Sequence, residues 1–220
     1  MGTVAQPIRD LPSARRQLVD TAVQHLSQFG PAGVQPQEIC RELGLSKGLV
    51  NYHFGGRDGL ILEAMATAYE EYVDELSAAA DAAGHDPVDR LVAWIDRQVE
   101  WTEANPGLAA ALDFPAVALS APQPDDPAQQ RLAEAGTRNF RNLQQLVREA
   151  RAGLCGIADP DELDAAEVGL TAAAVGWMAL GMAVWAGGRH LPTQRAGMRT
   201  FLPQARAHVR SVLVDMLSRP

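Results

Sequence analysis

Apolar residues recur along this chain at three- and four-residue intervals, the spacing that lines one face of an α-helix. The first stripe is Leu18, Ala22, Leu26 and Phe29, with Ser13 placed to cap the helix and Gly30 to stop it. Ile39, Cys40 and Leu43 make a second, short stripe behind Pro36, a residue suited to the first helical position because its missing N–H would be unpaired there anyway. Gly44 follows at once as a left-handed terminator. Ser46 is then a candidate N-cap for a third helix with Leu49, Val50 and Phe54 on its apolar side.

A longer helix is predicted from near Arg57 to about Ala83, with Leu60, Ala64, Ala68, Tyr72 and Leu76 along one side, before a break at Gly84 to Pro87. Leu91, Trp94, Ile95, Gln98 and Trp101 mark the next helix, ending around Asn105-Pro106-Gly107. An apolar segment then runs from Leu108 to Leu119. The loop Ala121 to Pro127, rich in Pro and Asp, is the clearest linker, and a helix from about Pro127 to Leu154 carries Leu132, Phe140, Leu143 and Val147. Its other side bears Arg131, Arg138, Arg141, Arg148 and Arg151, read as a solvated face that pairs with neighbouring acids rather than as a second basic surface. The final helix, from about Gln194 to Leu217, places Met198, Phe201, Leu202, Ala205, Val209, Val212 and Met216 on one face, with Pro203 kinking it or marking its first turn. No segment alternates convincingly at the two-residue period of a strand, so the expected fold is all-α.

Two short helices joined by a tight glycine turn form a helix-turn-helix. In the second of them the apolar contacts leave Lys47, Gly48, Asn51, Tyr52 and His53 for another surface. The stretch from Leu43 to Arg57 holds no Asp or Glu, which suits an element that approaches phosphates. Lys47 is also the only lysine in the chain.

The string GLVNYHFGGRDGL resembles the DNA-reading segment of the TetR family of bacterial one-component regulators. The matching positions are Gly48, His53, Phe54, Gly56, Arg57, Asp58 and Leu60, and the likeness extends from Arg15 to about Leu76. Three residues depart from the family's usual pattern: Gln35 stands where a Ser or Thr cap is common, Asn51 replaces a common tyrosine, and Arg57 a common lysine. The resemblance implies an N-terminal three-helix helix-turn-helix head (residues 13–58) behind a flexible arm (1–12), and a larger helical effector-binding and dimerisation domain (59–220). It implies DNA contacts from Arg15, Gln35, Gln37, Lys47, Gly48, Asn51, Tyr52, His53 and Arg57. Lys47 is then a base-edge or phosphate contact, Asn51 and Tyr52 are candidates for base reading and for a phosphate or thymine-methyl contact, and His53 and Arg57 are phosphate ligands. Dimerisation through the last two helices would present paired heads to a palindromic operator. A small, largely apolar effector is expected among Trp94, Gln98, Trp101, Asp113, Phe114, Phe140, Trp177 and Met178, and the regulator is expected to be a repressor.

A net charge of −8 over 220 residues looks unsuited to nucleic acid until it is divided. Residues 1–60 hold six basic and five acidic side chains, a net of +1, and residues 61–220 hold 13 and 22, a net of −9. An acidic body repels DNA from the wrong side and keeps non-specific binding weak.

Other chemistries fit less well. Gly44-Leu45-Ser46-Lys47-Gly48 satisfies the G-x-S-x-G pattern of serine hydrolases, but that nucleophile elbow needs a preceding strand, and the residues before Gly44 have helical periodicity. The five histidines are scattered without metal spacing, so neither an enzyme, a metal site nor a cofactor is expected. Cys40 and Cys155 also lack metal-type spacing, and Cys40 reads as a small buried hydrophobe. Residues 168–188 carry no charge and are long enough to span a membrane, but their Ala and Gly content fits a helix packed closely through Gly169, Ala173, Gly176 and Ala183. The first residues lack the apolar core of a signal peptide, so a cytoplasmic location is expected. The remaining alternative is a helical interaction or adaptor module that has lost DNA binding.

Overall fold

The computed structural model describes residues 11–113, 125–186 and 192–218, with side chains given for 13–113, 125–184 and 203–218. Among them are nine α-helices and no strand: α1 (Leu11–Phe29), α2 (Pro36–Glu42), α3 (Gly48–Phe54), α4 (Arg57–Ala82), α5 (Pro87–Ala104), α6 (Pro106–Asp113), α7 (Pro127–Cys155), α8 (Ala165–Ala186) and α9 (Pro192–Leu217). Most of the predicted arm and most of the loop before α7 lie outside the described residues. The chain divides into two compact units, one of residues 1–68 and 107–132, the other of 69–106 and 133–220. The boundary expected at residue 58 therefore falls inside the continuous helix α4, and α6 groups with the N-terminal head.

In the first unit, α4 enters as a helix buried on almost every side: Leu60, Ile61, Leu62, Ala64, Met65 and Ala66 are fully covered. Leu18, Ala22 and Leu26 of α1, Ile39 and Cys40 of α2, and Val50 of α3 complete this core. Phe29, expected on the same stripe, is 65% exposed. Amid this apolar surface lies the carboxylate of Glu63, held by Arg15 of α1 at 3.0 Å and by Arg131 of α7 at 2.7 Å. The Arg15 guanidinium also lies over the Phe54 ring of α3, 5.3 Å from its centroid, so one arginine ties three helices.

Local sequence sets the turns. Gly44 has φ +66°, and it ends α2 with Leu45 N–H donating to Cys40 O at 2.8 Å and Gly44 N–H to Arg41 O at 3.3 Å, the paired bonds that close a helix C-terminus. The expected Ser46 cap takes another form: α3 begins at Gly48 with Lys47 in the cap position and no side-chain cap bond, while Leu49 N–H donates to the Ser46 carbonyl. Between α3 and α4, Gly55 and Gly56 both have positive φ, 69° and 142°. Gly59 brings α4 so close to the end of α3 that a Cβ there would stand 1.9 Å from Phe54 O.

In the second unit, Asp86 caps α5, its carboxylate accepting from Val88 N–H at 2.8 Å and Asp89 N–H at 3.1 Å. α9 is laid along α5 by Arg206, paired with Asp96 (2.8 Å) and Glu100 (3.0 Å), and by Arg210, paired with Asp89 (2.8 Å) and Asp86 (3.2 Å). The α7 arginines do pair with acids: Arg138 with Asp74, Arg148 with Asp161 and Arg151 with Glu167. α8 buries Val168, Ala172, Val175, Ala179 and Ala183, and its Gly176 lets Leu143 of α7 approach closely. By length and composition alone Ala165–Val184 suits a membrane span. Pro203 lies inside α9, the first of its two expected placements. The buried stripe differs from expectation: it is Val209, Leu213 and Leu217, leaving Val212 46% exposed. Met198, Phe201 and Leu202 lie outside the described side chains.

Three stability tests follow from these contacts. Glu63→Ala removes the shared partner of two half-exposed arginines and is expected to cost about 1–3 kcal/mol in chemical denaturation. Gly59→Ala is expected to cost about 1–3 kcal/mol through the forced shift of Phe54. Asp86→Ala is expected to cost about 1 kcal/mol. The Asp89 N–H is the main cause that holds the Asp86 carboxyl below its ordinary range, helped by Val88 N–H and Arg210 against partial desolvation. A lowered folded pKa means this contribution is present above the unfolded value of about 3.9 and fades as pH falls below it. Wild type and Asp86→Ala should therefore converge in melting temperature at acid pH.

Candidate nucleic-acid interface

The helix-turn-helix presents one clear outward face. On α3 the side chains of Lys47, Asn51 and Tyr52 are exposed, with Gly48 open beside them and Tyr52 the most exposed at 72%. These positions lie at i, i+1, i+4 and i+5, the spacing of a single helix surface. Gln35 and Gln37 are exposed at the start of α2, although the Gln35 amide donates to Ala32 O at 2.9 Å and caps nothing. Val50 anchors the opposite side of α3 in the core. A seven-residue helix of about 10 Å, free of carboxylates and carrying one ammonium and two hydrogen-bonding side chains, has the size and chemistry to enter a DNA major groove.

Three of the residues expected to contact DNA have partners or surroundings within the head. Arg15 faces Glu63 and Phe54 within the head. Arg57 donates from Nε to Val34 O at 2.9 Å and from Nη2 to Pro31 O, and lies 3.5 Å from Asp58, so its guanidinium fastens the turn that leads into α2. The planar fork that distinguishes arginine from lysine makes this double bond to carbonyls available. His53 has its Nε2 buried without a hydrogen-bond partner, its ring packed edge-on against Tyr52 at 4.9 Å. The nearby His25 lies 3.1 Å from both Gly33 O and the Glu42 carboxylate, linking α1 to the α2 region. Burial pushes the Cys40 thiol up, which suits its role as packing rather than as a reactive thiolate.

The residues proposed for an effector are dispersed. Trp94, Gln98 and Trp101 are buried on α5, and Trp101 packs 4.5 Å from Tyr72. Met178 is half-buried, whereas Phe140 and Trp177 are 42% and 74% exposed and line no interior. Asp113 belongs to the other unit, and Phe114 lies outside the described residues. Within the second unit a cavity of about 200 Å³ is lined by Ser77, Ala80, Asp81, Arg90, Trp94, Asn142, Gln145 and Leu146. Its polar majority was missed in the sequence because Ser77, Arg90 and Asn142 read as ordinary breaks in apolar stripes.

This architecture defines a helix-turn-helix DNA-binding protein. Residues 18–64 match the model for bacterial regulatory proteins of the tetR family. The HTH-type transcriptional regulator BetI of Brucella melitensis biotype 2 is 34% identical over 147 residues, which cover 64% of this chain and 71% of that protein. A protein of unknown function from Rhodococcus sp. RHA1 shares the fold at a TM-score of 0.64 and 23% identity, over 91% of this chain and 98% of that one. A TetR/AcrR family regulator from Thermobifida fusca YX-ER1 shares it at 0.63 and 16%, over 90% and 97%. The chain belongs to the TetR family and is a helix-turn-helix transcriptional regulator.

Two substitutions separate reading from holding. Lys47→Ala should weaken operator binding by about 1–3 kcal/mol in electrophoretic shift with an unchanged melting temperature. Arg57→Ala removes charged donors from two carbonyls and should lower stability by about 2 kcal/mol in thermal melting.

Proposed function

We propose that this regulator is a repressor that binds a palindromic operator as a homodimer through the Lys47, Gly48, Asn51 and Tyr52 face, and releases it when a small effector occupies the body. The observation that carries the reading is the outward, acid-free face of α3, opposite the side that Val50 anchors in the core. Gln37 at the start of α2 is a natural second contact to the backbone.

Dimerisation is supported by large apolar side chains left exposed among the described residues of the last two helices. Leu170 and Trp177 are 75% and 74% exposed at a seven-residue spacing on α8, and Val212 of α9 is 46% exposed. Large apolar side chains presented in this way mark an interaction surface, and a two-fold contact of the last two helices covers it with its own copy. One head offers few cations to phosphates. Arg15 pairs with Glu63, Arg16 with Asp20 and Arg57 with backbone carbonyls, which leaves Arg41 and Lys47 among the described residues of the head. Tight operator binding then requires two heads. The effector acts by population shift, favouring an arrangement of the dimer that misfits the operator. The site of action is the cytoplasm, where the genome is.

The pair Leu170→Asp and Trp177→Asp tests this. Light scattering should show a monomer, and fluorescence anisotropy on a bound genomic fragment should show affinity reduced at least about 100-fold, near 2.8 kcal/mol. A variant that stays dimeric, or a monomer with wild-type affinity, overturns the proposal.

A further inference from the structure

The first unit is completed by a helix from the second half of the chain. α7 begins there with Asp126 as its cap, the carboxylate accepting from Ala128 N–H at 2.7 Å. Ala128 is 1% exposed among Leu62 and Ala66 of α4, and Leu132 packs against the same cluster. A turn both capped and buried has little freedom, and it presents Arg131. The Arg131 guanidinium donates to Glu63 Oε1 at 2.7 Å and to Thr67 Oγ1 at 3.5 Å, both on α4.

Glu63 has two oxygens, and two guanidiniums share them. Arg131 takes Oε1, and Arg15 Nη2 lies 3.0 Å from Oε2. A guanidinium that faces a carboxylate alone favours the two-bonded fork over both oxygens. With Oε1 occupied, Arg15 keeps the other oxygen and lies over the Phe54 ring, 5.3 Å from its centroid. Phe54 is the last residue of α3, close behind the exposed Asn51 and Tyr52. Occupancy of one oxygen by α7 therefore decides where Arg15 rests, and Arg15 in turn holds the end of α3.

We propose that Arg131 is a positioning residue for DNA reading: by holding Glu63 Oε1 it keeps Arg15 on Phe54, and so fixes the angle at which α3 presents Lys47, Asn51 and Tyr52. The proposal rests on the reading of α3 as the DNA-contacting helix. It extends the determinants of that contact to a side chain of α7 that binds a carboxylate rather than a phosphate.

Fluorescence anisotropy of the full-length protein tests it, on a genomic fragment that the protein retains and on an unrelated duplex of equal length. Each variant is measured at a temperature where circular dichroism shows it folded, which separates positioning from unfolding. Arg131→Met keeps the stem and removes the charge. It should bind the retained fragment at least about tenfold more weakly and the unrelated duplex within about twofold of wild type, with the salt dependence unchanged because no phosphate contact is lost. Arg131→Lys, which keeps a cation on Glu63, should stay within about threefold of wild type on the retained fragment. On a Phe54→Leu background, where the far end of the chain is gone, Arg131→Met should cost at most about twofold further. If Arg131→Met does not fold, Arg131→Gln takes its place on the same two duplexes, with the same pattern expected. Equal losses on both duplexes, a flatter salt dependence, no rescue by lysine, or a full further loss on the Phe54→Leu background would each overturn the proposal. Lys47→Ala separates it from the reading beneath. If Lys47→Ala leaves the retained fragment bound as before, α3 is not the reader; if Lys47→Ala weakens it and the Arg131 variants do not, α3 stands and the role of Arg131 falls.

Discussion

The position of α3 depends on one buried carboxylate. Glu63 lies in the most apolar stretch of α4, its side chain only 11% exposed, and two guanidinium groups reach it from helices distant in sequence. A carboxylate in such surroundings is tolerable only when it is paired on both oxygens, so α1 and the start of α7 are fixed wherever Arg15 and Arg131 must stand. Arg15 carries the constraint one step further, since its flat face rests on Phe54 at the end of α3. With Gly59 closing α4 against the same turn, the orientation of α3 becomes a property of the packed head rather than of the short helix itself. Seven residues cannot hold a helix alone in water.

That constraint changes the electrostatic picture. Arg15 and Arg57 lend the N-terminal region its slight positive charge, yet both guanidiniums are turned to carboxylate, ring or carbonyl partners inside the head. The exposed face of α3 carries one cation, Lys47, and residues 61–220 are strongly acidic. Bulk attraction is weak on such a molecule. Under the proposed reading, discrimination comes from the few groups of the α3 face, used twice in a dimer.

Much of this was legible in the sequence, for identifiable reasons. Helix periodicity and the glycine stops at Gly30, Gly44 and Gly84 gave the element order because they report local conformational preferences. The glycine-phenylalanine-arginine pattern around α3 identified the family. What could not be read was which way a given side chain turns. Arg57 and Arg15 occupy positions compatible with phosphate contact, and only the three-dimensional placement of Pro31 O, Val34 O and Glu63 shows the partners they take within the head. The same holds for Trp177, whose aromatic character suggested an interior until α8 was seen to bury its alanine and valine face instead. The polar cavity escaped notice because Ser77, Arg90 and Asn142 are far apart in sequence and meet only when α4, α5 and α7 pack.

The most direct test of the central claim, that paired α3 faces read a specific site, is footprinting on fragments of the native genome selected by the full-length protein. The account predicts two protected half-sites related by two-fold symmetry and about one DNA turn or more apart, with the protection lost on Lys47→Ala and Asn51→Ala. Protection without symmetry or sequence preference, or protection indifferent to both substitutions, would contradict it.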